Sequence, residues 1–326
     1  PVHPRCSLML AVSLLLTAAA LAGDGSPVRK GPTPEGRALA YLAREVPRWS
    51  ADNKCYSCHN NGDAARALYA ARRLGLAVPD KALADTTRWL SRPAGWDHNG
   101  GEGPFSDKKL ARLQFAAALA EAVAADVVKE RAPLAQAAAL VAALQHKDGS
   151  WPVEAEGTVG SPVTHGTALA THLARRTLRR ADPRKYEQAL ARADGWLRKV
   201  RVRTVLDAGA VLLALDRAGD AAARAQRQRC LALIRKGESK EGGWGPYVNS
   251  APEAFDTAVV LLALARQKGP AEVKAMRKRG RAFLVAAQQK DGSWPETTRP
   301  PGAESYAQRL STSGWATLAL LATRGE

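Results

Sequence analysis

The chain has almost nothing from which to build strands. Sustained alternation of β-branched and aromatic residues is absent, and aromatics make up only 6% of its 326 residues. Alanine, leucine and arginine dominate instead. Apolar residues recur at intervals of three and four, with Gly, Pro and Asp collected between the periodic stretches, which predicts an all-α protein. Acidic residues are also in deficit, 31 against 48 Lys and Arg, for a net charge of +17. Long basic runs are nevertheless missing, and aromatics do not interleave with the basic residues, which argues against a specific nucleic-acid surface. Arg175-Arg176, Arg179-Arg180, Arg224 to Arg229 and Lys274 to Arg281 read as a solvated outer surface. The competing reading is a site for an anionic cell-envelope polymer or a membrane surface.

Long apolar runs are equally scarce. The one that stands out is Leu8 to Leu21, after Arg5 and before Ala20-Leu21-Ala22 and the polar Gly23-Asp24-Gly25-Ser26. It is too short for a good membrane span and has the anatomy of a cleavable signal. Residues 1–22 are therefore expected to be a signal peptide and 23–34 a flexible leader. The folded domain would be 35–326, periplasmic or secreted.

Four cysteines and two methionines make the positions of each informative. Cys55-Tyr56-Ser57-Cys58-His59 is the attachment pattern of c-type haem, in which two thiols add to the vinyl groups and the histidine ligates iron. The expectation is one covalent haem c per chain, with His59 as proximal ligand and Trp96, Tyr56 and Trp49 on its wall. The bland alternative is a reduced or disulfide pair beside an incidental His59. For the sixth ligand, Met276 lies far along the chain, so His98 comes first and His165 second, ahead of an open position. His172 reads as interior packing and His146 as an exposed loop residue. Cys230, on an apolar helix face, reads as a buried thiol.

The helices repeat. Gln145-His146-Lys147-Asp148-Gly149-Ser150-Trp151 and Gln288-Gln289-Lys290-Asp291-Gly292-Ser293-Trp294 are close copies, Glu241 to Pro246 is a shorter one and Ala94 to Asp97 a looser one. The second helix of each pair is expected to open near 62, 114, 166, 209, 256 and 314, a period of about fifty residues and six helix pairs, the number that closes an α/α barrel. Gly-x-Trp is missing before the opening near 209, between Trp196 and Gly209, the one place where the sequence leaves closure of the ring undecided.

These loops resemble the repeats of the squalene/hopene cyclase and prenyltransferase family. The resemblance covers roughly residues 35 to 324 and implies an α/α toroid. It also implies structural roles for Gln145, Trp151, Gln288 and Trp294. The family's catalytic groups do not carry over. The cyclase acid Asp-x-Asp-Asp is absent, Asp207 and Asp256 read as lone carboxylates acting as caps or charge partners, and the chain is about half the length of a two-domain cyclase. No prenyltransferase zinc site of Asp, Cys and His is evident, nor a thioester Cys-Gly-Glu-Gln.

Three functions therefore compete. The leading one is an exported monohaem protein for electron transfer or redox sensing, with a redox partner protein or a small haem ligand. The second is an enzyme or carrier for an isoprenoid or other apolar small molecule in the toroid cavity, lined by Val211 to Leu215 and Val259 to Leu264. The third is a scaffold for an anionic polymer.

Overall fold

The structure, a computed structural model, describes residues 32–98, 108–155, 158–216, 218–267, 271–299 and 305–326. The expected signal peptide lies outside the described residues, as does the leader up to residue 31. Among the described residues there are no strands, only an isolated bridge between Glu238 and Trp244. No helix among them is long and apolar enough to cross a membrane.

Two rings of helices follow from two kinds of sequence. In α9 (Ala221–Lys236) only Ala223, Gln226, Cys230 and Ile234 are buried, and in α11 (Ala271–Ala287) only Val273, Met276, Gly280 and Leu284. A single stripe at spacings of three and four marks a helix with one covered face. These two form an outer ring with α1 (Pro34–Asn53), α3 (Ala84–Leu90), α5 (Ala132–Ala143) and α7 (Glu187–Lys199). By contrast, α8 (Val205–Ala214) and α10 (Ala254–Ala265) are buried on nearly every side. The inner ring is completed by α2 (Ala65–Arg73), α4 (Lys108–Ala124), α6 (Gly166–Ala181) and α12 (Tyr306–Ala322). A π-helical segment, Cys58–Ala64, leads directly into α2.

Each inner helix packs on the next, and α12 returns to the π-helical segment and α2, so the ring is closed. It is the expected toroid of six helix pairs. Two inner helices begin earlier than expected: Gln114 and Gly314 lie within α4 and α12, not at their starts. Ser305 caps α12 by accepting from the Gln308 amide, a start signal well upstream of the Gly-Trp pair.

The repeat loops hold the rings together as the family resemblance implies. The indoles of Trp151, Trp244 and Trp294 donate to Val141 O, Ile234 O and Leu284 O at 2.7, 2.8 and 2.7 Å. Each carbonyl lies ten residues upstream, in the last turn of the preceding outer helix, where the regular i+4 amide is turned elsewhere. Their amides take Thr171 Oγ1, Thr257 Oγ1 and Ser313 Oγ on the next inner helix. Each such bond contributes about 1 kcal/mol. Gln145 Nε2 donates to Ala189 O of the following outer helix at 2.8 Å. Gln288 does the same across the seam of the ring, to Pro34 O at 2.9 Å, while Arg37 donates back to its Oε1. Gly292 permits this approach: its φ is +94°, and a Cβ there would sit 2.2 Å from Arg37 O.

One expectation is overturned. Arg175 and Arg176 are not part of a solvated surface: they lie on inner helix α6, where Arg175 is buried against Asp194 and Ala214 O. Arg176 lines a central cavity on Glu121. Where α6 runs inside the ring its arginines bond carboxylates or carbonyls, and only Arg179, near its end, is exposed among the four.

Candidate functional site

The Cys-x-x-Cys-His motif sits at the inner ring, where Ser57 caps the π-helical segment by accepting from the His59 and Asn60 amides. A π-helical turn inside a helix often marks a functional position. Two asparagines fix this one to its neighbours. Asn60 Nδ2 donates to Glu45 O and the Tyr306 hydroxyl, both at 2.9 Å. Asn61 Nδ2 donates to Thr86 Oγ1 at 2.8 Å. Tyr56 stacks on Trp89 at 4.6 Å and Trp49 on Tyr306 at 5.8 Å. Trp96 is buried against Phe115. Cys55 and Cys58 are half-buried thiols, not a disulfide, while Cys230 is fully buried and its thiol pushed up to about 12 by that burial.

Below the motif lies a polar hub that the sequence did not announce. Asp63 Oδ2 accepts from Ser311 Oγ on α12, Gln114 Nε2 on α4 and His165 Nε2 at the start of α6, each at 2.9 Å. Arg66 stands 3.9 Å from Oδ1 and stacks its guanidinium over Trp315 at 4.0 Å. Asp63, Arg66 and His165 are each only 1% exposed. Burial by itself would raise the Asp63 carboxyl, but His165, Arg66 and Gln114 outweigh it and hold it well below the usual carboxylate range. Gly314 makes the approach of α12 possible, since a Cβ there would come within 2.9 Å of Asp63 O.

The hub fixes the protons of both histidines. His59 Nδ1 lies 2.9 Å from Ser311 Oγ, whose single proton goes to Asp63. His59 must therefore donate from Nδ1, which leaves Nε2 as the lone-pair nitrogen of the neutral ring. Desolvation lowers the His59 pKa to about 4, against the pull of Asp63, so the ring is neutral at neutral pH. His165 donates from Nε2 to Asp63, and its Nδ1 is buried without a hydrogen bond. Its ring lies among Phe255 and Trp315, at 6.4 and 5.6 Å. His165 also has φ +64°, a left-handed conformation that costs a non-glycine residue energy and that clusters at functional sites.

The structure thus joins His59 and His165 through one carboxylate. His98 is elsewhere, exposed at the end of the short helix Pro93–His98. His172 lies inside, on the central cavity, and His146 is exposed beside Asp148. Met276 is buried under α11. Among the described residues, no three His, Cys, Asp or Glu side chains converge as a metal-ion site.

Two carboxylates hold equivalent places, each the third residue of its inner helix. Of the two roles its sequence allows, cap or charge partner, Asp256 of α10 takes the second: Arg299 bonds both it and Glu253. Two carboxylates on one guanidinium, with Asp256 fully buried, favour keeping a proton. Burial, opposed by Arg299 and aided by Glu253, pushes Asp256 up to about 8. Glu253-Ala254-Phe255-Asp256 keeps carboxylates at the first and fourth positions of the cyclase Asp-x-Asp-Asp spacing, with Phe255 third. The i, i+3 spacing at a helix start was the available signal. Asp207 of α8 forms a local cap with Thr204, whose Oγ1 accepts from its amide at 2.9 Å. Its carboxyl is also raised by burial, with only Thr204 opposing.

Asp207 differs from Asp256 in having a cavity to face. A cleft of about 500 Å³ lies between the first turns of α6 and α8, under the segment where Gly-x-Trp is missing. The ring does not open there, because α6 packs on α8. Trp196, Val200, Val202 and Val211 supply its apolar wall, and the exposed Arg201 and Arg203 stand at it.

Residues 204–326 match the family model of the squalene-hopene cyclase C-terminal domain. The fold is cyclase-like. The apo type II terpene cyclase MstE from Scytonema superposes with a TM-score of 0.56 at 16% identity, over 88% of this chain and 97% of that one. That terpene cyclase is a chain of about this length. The same toroid serves other chemistry. A polysaccharide lyase matches at 12% identity and TM-score 0.52, over 89% of this chain and 97% of its own. A glycosidase matches at 14% and 0.51, over 87% and 96%. No curated protein sequence is significantly similar to the chain. At these identities the likeness is one of fold.

Proposed function

We propose that this chain is an enzyme that protonates an apolar substrate held in the cleft beside α8, with Asp207 as the proton donor. The observation that carries the reading is a carboxyl raised by burial on the wall of a substrate-sized, half-apolar cavity. It falls at the start of the stretch that matches the cyclase domain. Asp256 has the same place one repeat later but is sealed on Arg299, so of these two helix-start carboxyls Asp207 is the one on a cavity wall. Proton addition to a carbon–carbon double bond leaves a carbocation, which the face of Trp196 would stabilise. Ring closure, followed by loss of a proton or capture of water, completes the reaction with no redox change. The test is incubation with squalene and with geranylgeranyl-bearing aromatic acids, followed by mass spectrometry of products and of lipid retained on the protein. Conversion that disappears in Asp207→Asn is expected; no conversion and no retained lipid would sink the reading.

A second reading has its own observation. The Ser311–Asp63 relay leaves His59 Nε2 as an unprotonated nitrogen in a Cys-x-x-Cys-His segment, the arrangement that second-shell hydrogen bonds give a ligating histidine. These residues fit a haem c attached through Cys55 and Cys58 with His59 on its iron, which would supply one-electron chemistry. This chain's part would be to hold the tautomer and orient the ring, in an exported protein serving a redox partner. Expression in a host that matures c-type cytochromes tests it. Colour that survives acid-acetone extraction and is lost in Cys55→Ala/Cys58→Ala supports it, and colourless protein ends it.

A further inference from the structure

Asp63, Gln114, His165 and Ser311 share one level of the ring. Arg73 on α2, Glu121 on α4 and Arg176 on α6 share a second, since both arginines bond that glutamate. The order of the two levels is the same along α2, α4 and α6, so these inner helices run parallel and Arg73, Glu121 and Arg176 lie toward their C-terminal ends. Between the levels is a cavity of about 330 Å³ lined by all six inner helices. It is distinct from the cleft, which borders the first turns of α6 and α8.

The charges of this cavity do not balance. Arg66, Arg73, Arg176 and Arg266 line it, and among the described residues Glu121 is the only carboxylate on its wall. Glu121 already takes Arg73 at 2.8 Å and Arg176 at 2.5 Å, and Arg180 at 3.0 Å from behind. Arg266 pairs with Asp216 at 3.0 Å. Arg66, 1% exposed, has no hydrogen bond at Nε or Nη2, and its carboxylate, Asp63, is 3.9 Å away and shared with three other donors. The neighbouring His172, 6% exposed, has no hydrogen bond at Nδ1. Four guanidinium groups thus share this wall with one carboxylate, and a buried guanidinium with open donors, as at Arg66, is costly. At two of the inner-helix ends the carbonyls are taken by other arginines, Arg175 donating to Ala214 O and Arg281 to Leu320 O.

The rest of the wall is apolar: Leu173, Leu213, Leu262, Leu318 and Trp315. We propose that this cavity binds a phosphate-type oxyanion carried on a short apolar chain, the oxyanion between Arg66, Arg176 and Arg266 and the chain along the leucines. Guanidinium groups suit this partner because their paired N–H donors match phosphate oxygens. The proposal does not depend on the chemistry in the cleft.

Isothermal titration at fixed ionic strength with octyl phosphate, inorganic phosphate and octanol tests it. Octyl phosphate should bind at least tenfold more tightly than either of the others, and Arg176→Gln should weaken it at least tenfold while Arg203→Gln, in the cleft, leaves it unchanged. Where Arg176→Gln fails to fold by circular dichroism, the more exposed Arg266→Gln serves in its place. Equal affinity for octyl and inorganic phosphate would keep the oxyanion and overturn the chain. Octanol binding as well as octyl phosphate, or an affinity indifferent to both arginine changes, would overturn the site.

Discussion

Replacing Asp63 by Asn keeps its shape and removes its charge. In the native hub Oδ2 accepts three hydrogen bonds at 2.9 Å and the carboxylate faces Arg66, all of it buried. Removing one partner of a buried ion pair typically costs ~3–5 kcal/mol, because the other charge is stranded. The amide can still accept from one or two of the three donors, so the hydrogen-bond loss is largely contained in that figure. At this chain length ~4 kcal/mol corresponds to a fall in Tm of roughly 8 °C. The sign of the pH dependence is also fixed. The folded Asp63 pKa is depressed, so its contribution is fully present above the ordinary carboxylate pKa and is lost as pH falls through the folded value. The gap between wild type and Asp63→Asn should therefore be widest near pH 7 and begin to close only in strong acid. Urea midpoints followed by far-ultraviolet circular dichroism at pH 7 and pH 3 measure it. A gap below ~1 kcal/mol at pH 7, or one that widens in acid, would refute the reasoning.

Further outcomes follow from the same geometry. In a Cys55→Ala/Cys58→Ala background, which takes up no covalent haem, His59→Gln should flatten the stability lost between about pH 6.5 and 4. The folded ring stays neutral down to about 4 while the unfolded ring charges below its ordinary value, a difference of ~3 kcal/mol; an unchanged pH slope would contradict the burial. Gln288→Ala should cost ~1–2 kcal/mol by removing its bonds to Pro34 O and Gly292 O, and hydrogen exchange should show α1 loosened before α9. Trp244→Phe should cost ~1 kcal/mol through the lost bond to Ile234 O, read as a shift in urea midpoint with unchanged m.

The ring was legible because its punctuation is rigid. Trp151 and Trp294 must reach a carbonyl ten residues back, so their loops keep length and sequence, and the period shows through. The starts of α4 and α12 were misplaced because Gln114 and Gly314 look like helix openings but act as interior contacts, on Asp63 in both cases. His59 and His165 were each singled out as haem ligands, and the structure links the two through Ser311 and Asp63. No local pattern announces Asp63 as a hub, since its three hydrogen-bond donors lie 51, 102 and 248 residues away. Arg66 and Arg176 were invisible for the opposite reason. A basic residue on a helix is ordinarily read as solvated, and only the placement of α2 and α6 inside the ring reverses that.

The seam at Gln288, Pro34 and Arg37 also bears on how the chain can be cut. A linear stack of repeats needs polar end caps, but here the last helix pair covers the first with the same bond that joins α5 to α7. The break in the backbone is thus one of six comparable positions around a circle. A circular permutant opened in the segment between α2 and α3, with a linker joining Glu326 to Pro32, should preserve the ring. The last pair to emerge would then be a different one, which would change the order of assembly without changing the product.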